Sequence, residues 1–206
     1  MSFIELIGLI NFLFLNLSAF LCFFFYILSS MPNTREEKIG EKVWRQSNIL
    51  RAISDILWIV LIVNILLWIW FPISVLNWKI LDNYLILIII SIPVGFFCIL
   101  LIIKAIKDAG EETIKTSKET KMYQGIYRYI RHPQILGSVP LFFVISMIIN
   151  SLFLLIWLIA LMIIIIPIVI HYEEKDLIKK FGDKYLEYKN QTGALIPKFW
   201  KKGNKL

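Results

Sequence analysis

The feature that most constrains this chain is the length of its uncharged apolar runs. Residues 3–30, 52–78, 84–103 and 133–170 carry very few ionisable side chains. A chain of 206 residues builds no core deep enough to hide four such stretches from water. Apolar residues make up 58% of it, against roughly 45–50% in a soluble globular domain. The runs exclude a soluble enzyme, a disordered tail and a disulfide scaffold. They specify an all-α integral membrane protein. A helix crossing about 30 Å of hydrocarbon needs about 20 residues. On that measure helices are expected near 4–30, 50–72 and 84–106. The run 134–170 is too long for one pass, and Asn150-Ser151 divides it into a tight hairpin of two helices. About five transmembrane helices result, the fourth of them short. The chain reads as a single membrane domain over 1–206, with its first two helices in 1–83 and the remainder in 84–206.

Basic residues orient this domain. Segments 31–51, 104–131 and 171–206 hold all the Lys and Arg except one, Lys79 in the segment 73–83. Basic loops stay on the cytoplasmic side, so the N-terminus is expected outside and the C-terminus in the cytoplasm. The net charge of +7 therefore speaks for the membrane, and no nucleic-acid partner is expected. The first apolar run carries Glu5 in place of a basic leader and is followed by no small-residue cleavage site, so it is kept as a membrane helix. Cys22 and Cys98 lie alone among Leu, Ile and Phe, without the spacing of a metal or disulfide framework; no metal is expected. Trp58, Trp68, Trp70, Trp78 and Tyr84 suggest an interfacial aromatic belt.

Two polar segments concentrate the chemistry. In the first, Arg131-His132-Pro133 precedes the fourth helix. Proline disfavours helix at the residue before it and suits the first helical turn, which fixes Arg131 and His132 at the membrane surface beside free backbone N–H groups. In the second, Glu173-Glu174 stands where the fifth helix leaves the apolar run. Adjacent helical residues point about 100° apart. One glutamate is therefore expected in a pocket and the other at the surface, paired with Lys179 or with Arg131. Glu173 is the choice for the pocket. Leu177, Ile178, Phe181, Tyr185 and Tyr188 then form an amphipathic cytoplasmic stripe that roofs the bundle, with Gly182 able to break it in two.

Together these segments resemble the isoprenylcysteine carboxyl methyltransferase family and the wider group of phospholipid methyltransferase-like membrane enzymes. The matching residues are Gly125-x-Tyr127, Arg131-His132-Pro133 and Gly137, a helical hairpin, Glu173-Glu174-x-x-Leu177, Phe181-Gly182-x-x-Tyr185-x-x-Tyr188 and Leu195-Ile196-Pro197. The resemblance covers roughly 84–200. Ile135 stands where the family usually has an aromatic residue, and helix 3 lacks the Gly-x-Gly usual in phospholipid methyltransferases. The resemblance implies an S-adenosylmethionine-dependent methyltransferase whose cofactor lies on the cytoplasmic side. It implies cofactor contacts from Gly125, Tyr127, Arg131, His132, Pro133, Gly137, Glu173, Glu174 and Tyr185, with Arg131, His132 and Glu173 as the catalytic set. A lipophilic or prenylated substrate would enter from the bilayer.

The residue chemistry suits that ligand. A guanidinium at Arg131 forks onto a carboxylate, a glutamate meets an ammonium or ribose hydroxyls, His132 offers a hydrogen-bonding ring, and Tyr127 and Tyr185 offer flat faces. A carboxylate or thiolate acceptor needs no strong base, whereas an amine must first be neutral. The expected acceptor is therefore a prenylcysteine-type carboxylate or a related carboxylate or thiol. Two alternatives stay open at this point: an NADPH-dependent reductase of sterol-like lipids, and a non-enzymatic membrane scaffold.

Overall fold

The computed structural model describes residues 2–110, 118 and 124–198. Lys115, Lys121, Lys201, Lys202 and Lys205, which belong to the basic segments above, lie outside the described residues. Among the described residues seven α-helices follow in chain order: α1 (Phe3–Ser29), α2 (Pro32–Ile39), α3 (Lys42–Leu67), α4 (Tyr84–Ala109), α5 (Pro133–Ile148), α6 (Leu152–Phe181) and α7 (Asp183–Gln191). Helices α1, α3, α4 and α6 are long and apolar enough to cross a bilayer, and α5 is a shorter apolar helix.

Local sequence explains most of the boundaries. At the start of α1 the Ser2 hydroxyl accepts from the Glu5 amide at 3.2 Å, and the Glu5 carboxylate accepts from the Ser2 amide at 2.9 Å. This reciprocal pair satisfies two amides that have no partner inside the helix. Gly182, at φ 58°, takes the left-handed conformation that separates α6 from α7.

The second long helix departs from expectation at both ends. It begins at Lys42 instead of near 50, because the polar stretch before the apolar run still buries Val43 and Ser47. It stops at Leu67 instead of 72, ahead of Pro72. The short helix α2 was not anticipated.

The membrane helices bring the chain's loops to two ends. At one end the Asn150 turn meets the loop between α3 and α4. Asn150 Oδ1 accepts from the amides of Ile80 and Leu81 at 2.9 and 3.1 Å, and Nδ2 donates to Leu81 O at 2.7 Å. Although α5 has only 16 residues, it therefore ends level with that loop, and the chain makes five passes between the two ends. Segments 31–41, 124–132 and 182–198 share the opposite end, as the basic pattern requires of loops on one side.

Helix α1 packs chiefly on α3, and α4 chiefly on α5. Small and polar residues let the first pair approach closely: Asn11 Nδ2 donates to Asn64 O at 3.0 Å, and the Ser54 hydroxyl donates to Cys22 O at 3.1 Å. In the second pair a side chain on Gly137 would collide with Ile102. The aromatic belt needs correction. Trp70 and Trp78 are exposed, but Trp68 is buried and stacks on Phe153, while Trp58 packs on Phe142 with ring centres 4.9 Å apart. Aromatic rings of this size bury a large apolar area in such contacts.

A cavity of about 230 Å³ occupies the seam between the two helix pairs. Its walls are almost wholly apolar, with Phe23 from α1, Trp58 from α3, Ile102 from α4, Phe142 from α5 and Met162 from α6. Tyr26, Gln134 and Ser138 are among the residues that line it.

Candidate active site

His132 is the N-cap residue of α5, and Pro133 fills the first helical position. The backbone here is held from across the chain. The Arg131 amide donates to Gly193 O at 2.9 Å and the His132 amide to Ala194 O at 3.0 Å, next to a parallel bridge between Ile130 and Gly193. The tail after α7 thus fixes both side chains of the Arg-His pair from behind. A side chain on Gly193 would strike the Ile196 carbonyl, so this strand-like contact depends on glycine.

The buried His132 ring lies between the two glutamates of α6. Nδ1 is 3.1 Å from Glu173 Oε2, and Nε2 is 3.2 Å from Glu174 Oε1. A carboxylate on each nitrogen requires a proton on each, so the ring is an imidazolium. Burial by itself depresses a histidine, but the bonds from Glu173 and then Glu174 outweigh it and lift His132 from 6.5 to about 9.

The expectation of one pocket glutamate and one surface glutamate is overturned. Side chains about 100° apart on one helix can still converge when their target is a ring with an acceptor site on each edge. Glu174 is the more buried of the two, 4% exposed. Arg131 Nε donates to Glu174 Oε1 at 2.7 Å, and Lys189 Nζ reaches Oε2 at 2.7 Å. Of the two surface partners expected, Arg131 is therefore found, while Lys179 pairs with Glu37 instead. The second oxygen of Glu173 accepts from the Tyr26 hydroxyl at 2.7 Å.

Arg131 also donates through Nη1 to the carbonyls of Lys189 and Thr192. Its guanidinium ties α6, α7 and the tail together, a different duty from the ligand fork that its chemistry suggested.

The other site residues named from sequence divide into two groups. Tyr127 is buried; its hydroxyl accepts from Gln134 Nε2 at 3.2 Å, and its carbonyl accepts from the Tyr188 hydroxyl. Tyr185 is buried on α7, with its ring centre 5.6 Å from that of Tyr188. These lie around the cluster. Gly125 and Gly137 have local packing duties. Gly125, at φ 65°, leaves room for Asp108, whose Oδ2 accepts from the Ile126 amide at 2.7 Å. Gly137 is where α5 presses on α4. Ile135, in the place of the family's aromatic residue, lines the cavity.

Three participants in the cluster, Tyr26, Lys189 and Thr192, and one helix cap at the same end, Asp176, escaped the sequence reading. Tyr26 stands in an apolar stretch with no motif around it, and Asp176 fills an unassigned position of Glu173-Glu174-x-x-Leu177. Lys189 and Thr192 are ordinary residues of a polar tail. Asp176 is buried and accepts from the Thr34 amide at 2.7 Å, the Asn33 side chain at 2.7 Å and the Asn33 amide at 3.3 Å. It thereby caps α2 from α6, a carboxylate at a helix N-terminus. Among the described residues no group of three His, Cys, Asp or Glu side chains is placed to hold a metal; the two glutamates approach opposite edges of His132.

No curated protein and no solved structure matches the chain. Residues 84–184 match the phospholipid methyltransferase family. The matched span begins at the first residue of α4 and ends just inside α7, and it contains His132, both glutamates and the helical hairpin between them. It is this segment, just under half of the chain, that is similar to the phospholipid methyltransferase family of membrane methyltransferases.

Proposed function

We propose that the protein transfers a methyl group from S-adenosylmethionine to a lipophilic acceptor, most simply a prenylcysteine-type carboxylate or a related carboxylate or thiol. The observation that carries the reading is the charged cluster of His132, Glu173 and Glu174 beside an apolar cavity at a seam between helix pairs. S-adenosylmethionine, when bound, supplies an electrophilic methyl group on a sulfonium. The donor set suits its polar end. Glu174 Oε2 holds the Nζ of Lys189, a side chain 41% exposed, and a ligand ammonium would take this oxygen by displacing that lysine. Tyr127 and Tyr185 offer ring faces close by.

This chain's own residues align the reactants and exclude water, which is the main protein contribution to an in-line displacement. The apolar walls of the cavity suit an alkyl or prenyl chain. Gln134 and Ser138 offer hydrogen bonds at its polar edge. The state of His132 bears on the acceptor. A ring held at about 9 is protonated at neutral pH and takes no further proton. An acceptor that is already anionic fits such a site better than an ammonium that must first lose a proton. The basic end of the bundle is proposed to face the cytoplasm, where the cofactor is available.

Calorimetric titration of detergent-purified protein with S-adenosylhomocysteine and, separately, NADPH tests the reading. Binding of the first alone is expected, weakened about tenfold or more in Glu174→Gln by loss of a charged contact. Binding of NADPH alone transfers the assignment to the reductase reading. Labelling of single cysteines placed at 80 and 118 in sealed cells tests orientation, with outside access expected at 80.

A further inference from the structure

Tyr26 belongs to α1, far outside the family-matched span, and no motif marks it. Its side chain nevertheless meets both parts of the candidate site. The hydroxyl donates to Glu173 Oε1 at 2.7 Å while the ring walls the apolar cavity. The Arg51 guanidinium, from α3, lies 5.9 Å from the centre of the same ring. The other oxygen of Glu173 is the one that meets His132 Nδ1. A glutamate carboxylate ends a side chain with three torsions. A donor on Oε1 removes that freedom and presents Oε2 to the imidazole.

We propose that Tyr26 is a positioning residue of the site: its hydroxyl fixes the Glu173 carboxylate against His132, and its ring makes that same contact part of the cavity wall. This rests on the reading of the cluster as the cofactor site. Its consequence is that the first two long helices are not only a membrane anchor for a methyltransferase core. They complete it, and they link the cavity's occupant to the charged cluster through one side chain. An apolar chain that fills the cavity touches the Tyr26 ring, and a shift of that ring moves Glu173.

The test uses the ring of His132 as its own reporter. With His171→Gln, His132 is the single histidine, and its carbon-13 resonance is followed against pH in detergent micelles without ligand. The charged and titratable groups around it are Glu173 and Glu174 from α6, Arg131 beside it, Tyr26 and Arg51 from α1 and α3, and Lys189 and Tyr185 from α7. Two effects of Tyr26→Phe have opposite signs. A loosened Glu173 holds the imidazolium less well and lowers the midpoint. A Glu173 stripped of a donor but still in place is a stronger acceptor and raises it. Positioning predicts a fall of about half a pH unit or more, and no further change when Tyr26→Phe is added to Glu173→Gln, because the effect passes through Glu173. An unchanged or raised midpoint, or shifts that add in the double variant, overturns the proposal. S-adenosylhomocysteine affinity is measured on the same variants, with a loss of about three- to tenfold expected for Tyr26→Phe. If the unaltered protein does not bind it, the cofactor reading fails, while the histidine midpoints still decide the role of Tyr26.

Discussion

The two ends of this bundle solve the same mechanical problem with different chemistry. Both must hold a helical hairpin or helix end against a loop from another part of the chain. At one end the side chain on the hairpin is neutral: Asn150, in the left-handed conformation at φ 57°, binds the backbone of Ile80 and Leu81 with its amide, beside a backbone bond from the Leu152 amide to Trp78 O. At the other end the anchors are carboxylates. Asp176 caps α2, and Glu174 gathers Arg131, His132 and Lys189. A neutral amide avoids the desolvation that a buried charge must overcome. Asp176 has the same structural character as Asn150, one residue holding a backbone. The cluster around His132 goes further, since two carboxylates close on one ring where a single hydrogen bond would have anchored the helix. That excess of buried charge is what supports the proposal of a site in addition to a joint.

Breaking each contact in turn measures the difference. The largest effect is expected from Glu174→Ala. It leaves the buried Arg131 and His132 without their shared anion, and removing one partner of a buried pair costs about 3–5 kcal/mol. Denaturant unfolding in mild detergent reads it, and a loss below 1 kcal/mol would place these charges in water instead.

Next comes pH. His132 is raised from 6.5 to about 9, so its contribution is complete below 6.5 and disappears as pH rises through 9. The span corresponds to about 3 kcal/mol. Stability should therefore decline between pH 6.5 and 9 in the parent and far less in His132→Gln. Parallel curves for the two proteins would show that the ring is not held as an imidazolium.

For Asp176→Ala, loss of three acceptor contacts at the start of α2 is expected to cost about 2 kcal/mol. The loss should be local, with faster amide exchange over 32–39 and S-adenosylhomocysteine affinity within twofold of the parent. A collapse of affinity would make Asp176 part of the site and erase the contrast drawn here. Asn150→Ala is expected to cost about 1–2 kcal/mol, since it removes the amide contacts and strains a left-handed residue. Asn150→Gly relieves the strain and should cost less. If glycine is the worse substitution, conformation is not what selects asparagine at this turn.

The sequence was informative where one physical rule acts on a contiguous stretch. Apolar runs with no charge have to become membrane helices, because hydrocarbon leaves the backbone no other partners. The hairpin at Asn150-Ser151 followed from a run too long for one pass, and the common end of the basic loops followed from their charge. The order Arg131-His132-Pro133, hairpin, Glu173-Glu174 carried the family resemblance, and the match over 84–184 agrees with it. Rules about the apolar pattern were less useful at polar borders. The helix from Lys42 extends through a hydrophilic stretch in which Val43 and Ser47 are buried while Trp44 and Gln46 bond to α2, which a hydropathy run does not register.

Which side chains meet was decided only in three dimensions. Helical geometry correctly separates Glu173 and Glu174, yet both reach His132 because an imidazole has a nitrogen on each edge and sits between them. Arg131 had the chemistry of a ligand clamp, and folding gave its Nε and Nη1 to Glu174 and to the carbonyls of Lys189 and Thr192. Tyr26 lies 147 residues from Glu173 along the chain, in a helix whose apolar pattern says nothing of a partner. The sequence by itself determined that the chain crosses a membrane, on which end its charges gather and which family its second half resembles, because each of these depends on composition or order along a segment. The tertiary structure alone decided the partners of the charged groups. Their pairing depends on how five passes are set beside one another, and a buried charge binds whichever opposite group the packing brings within about 3 Å.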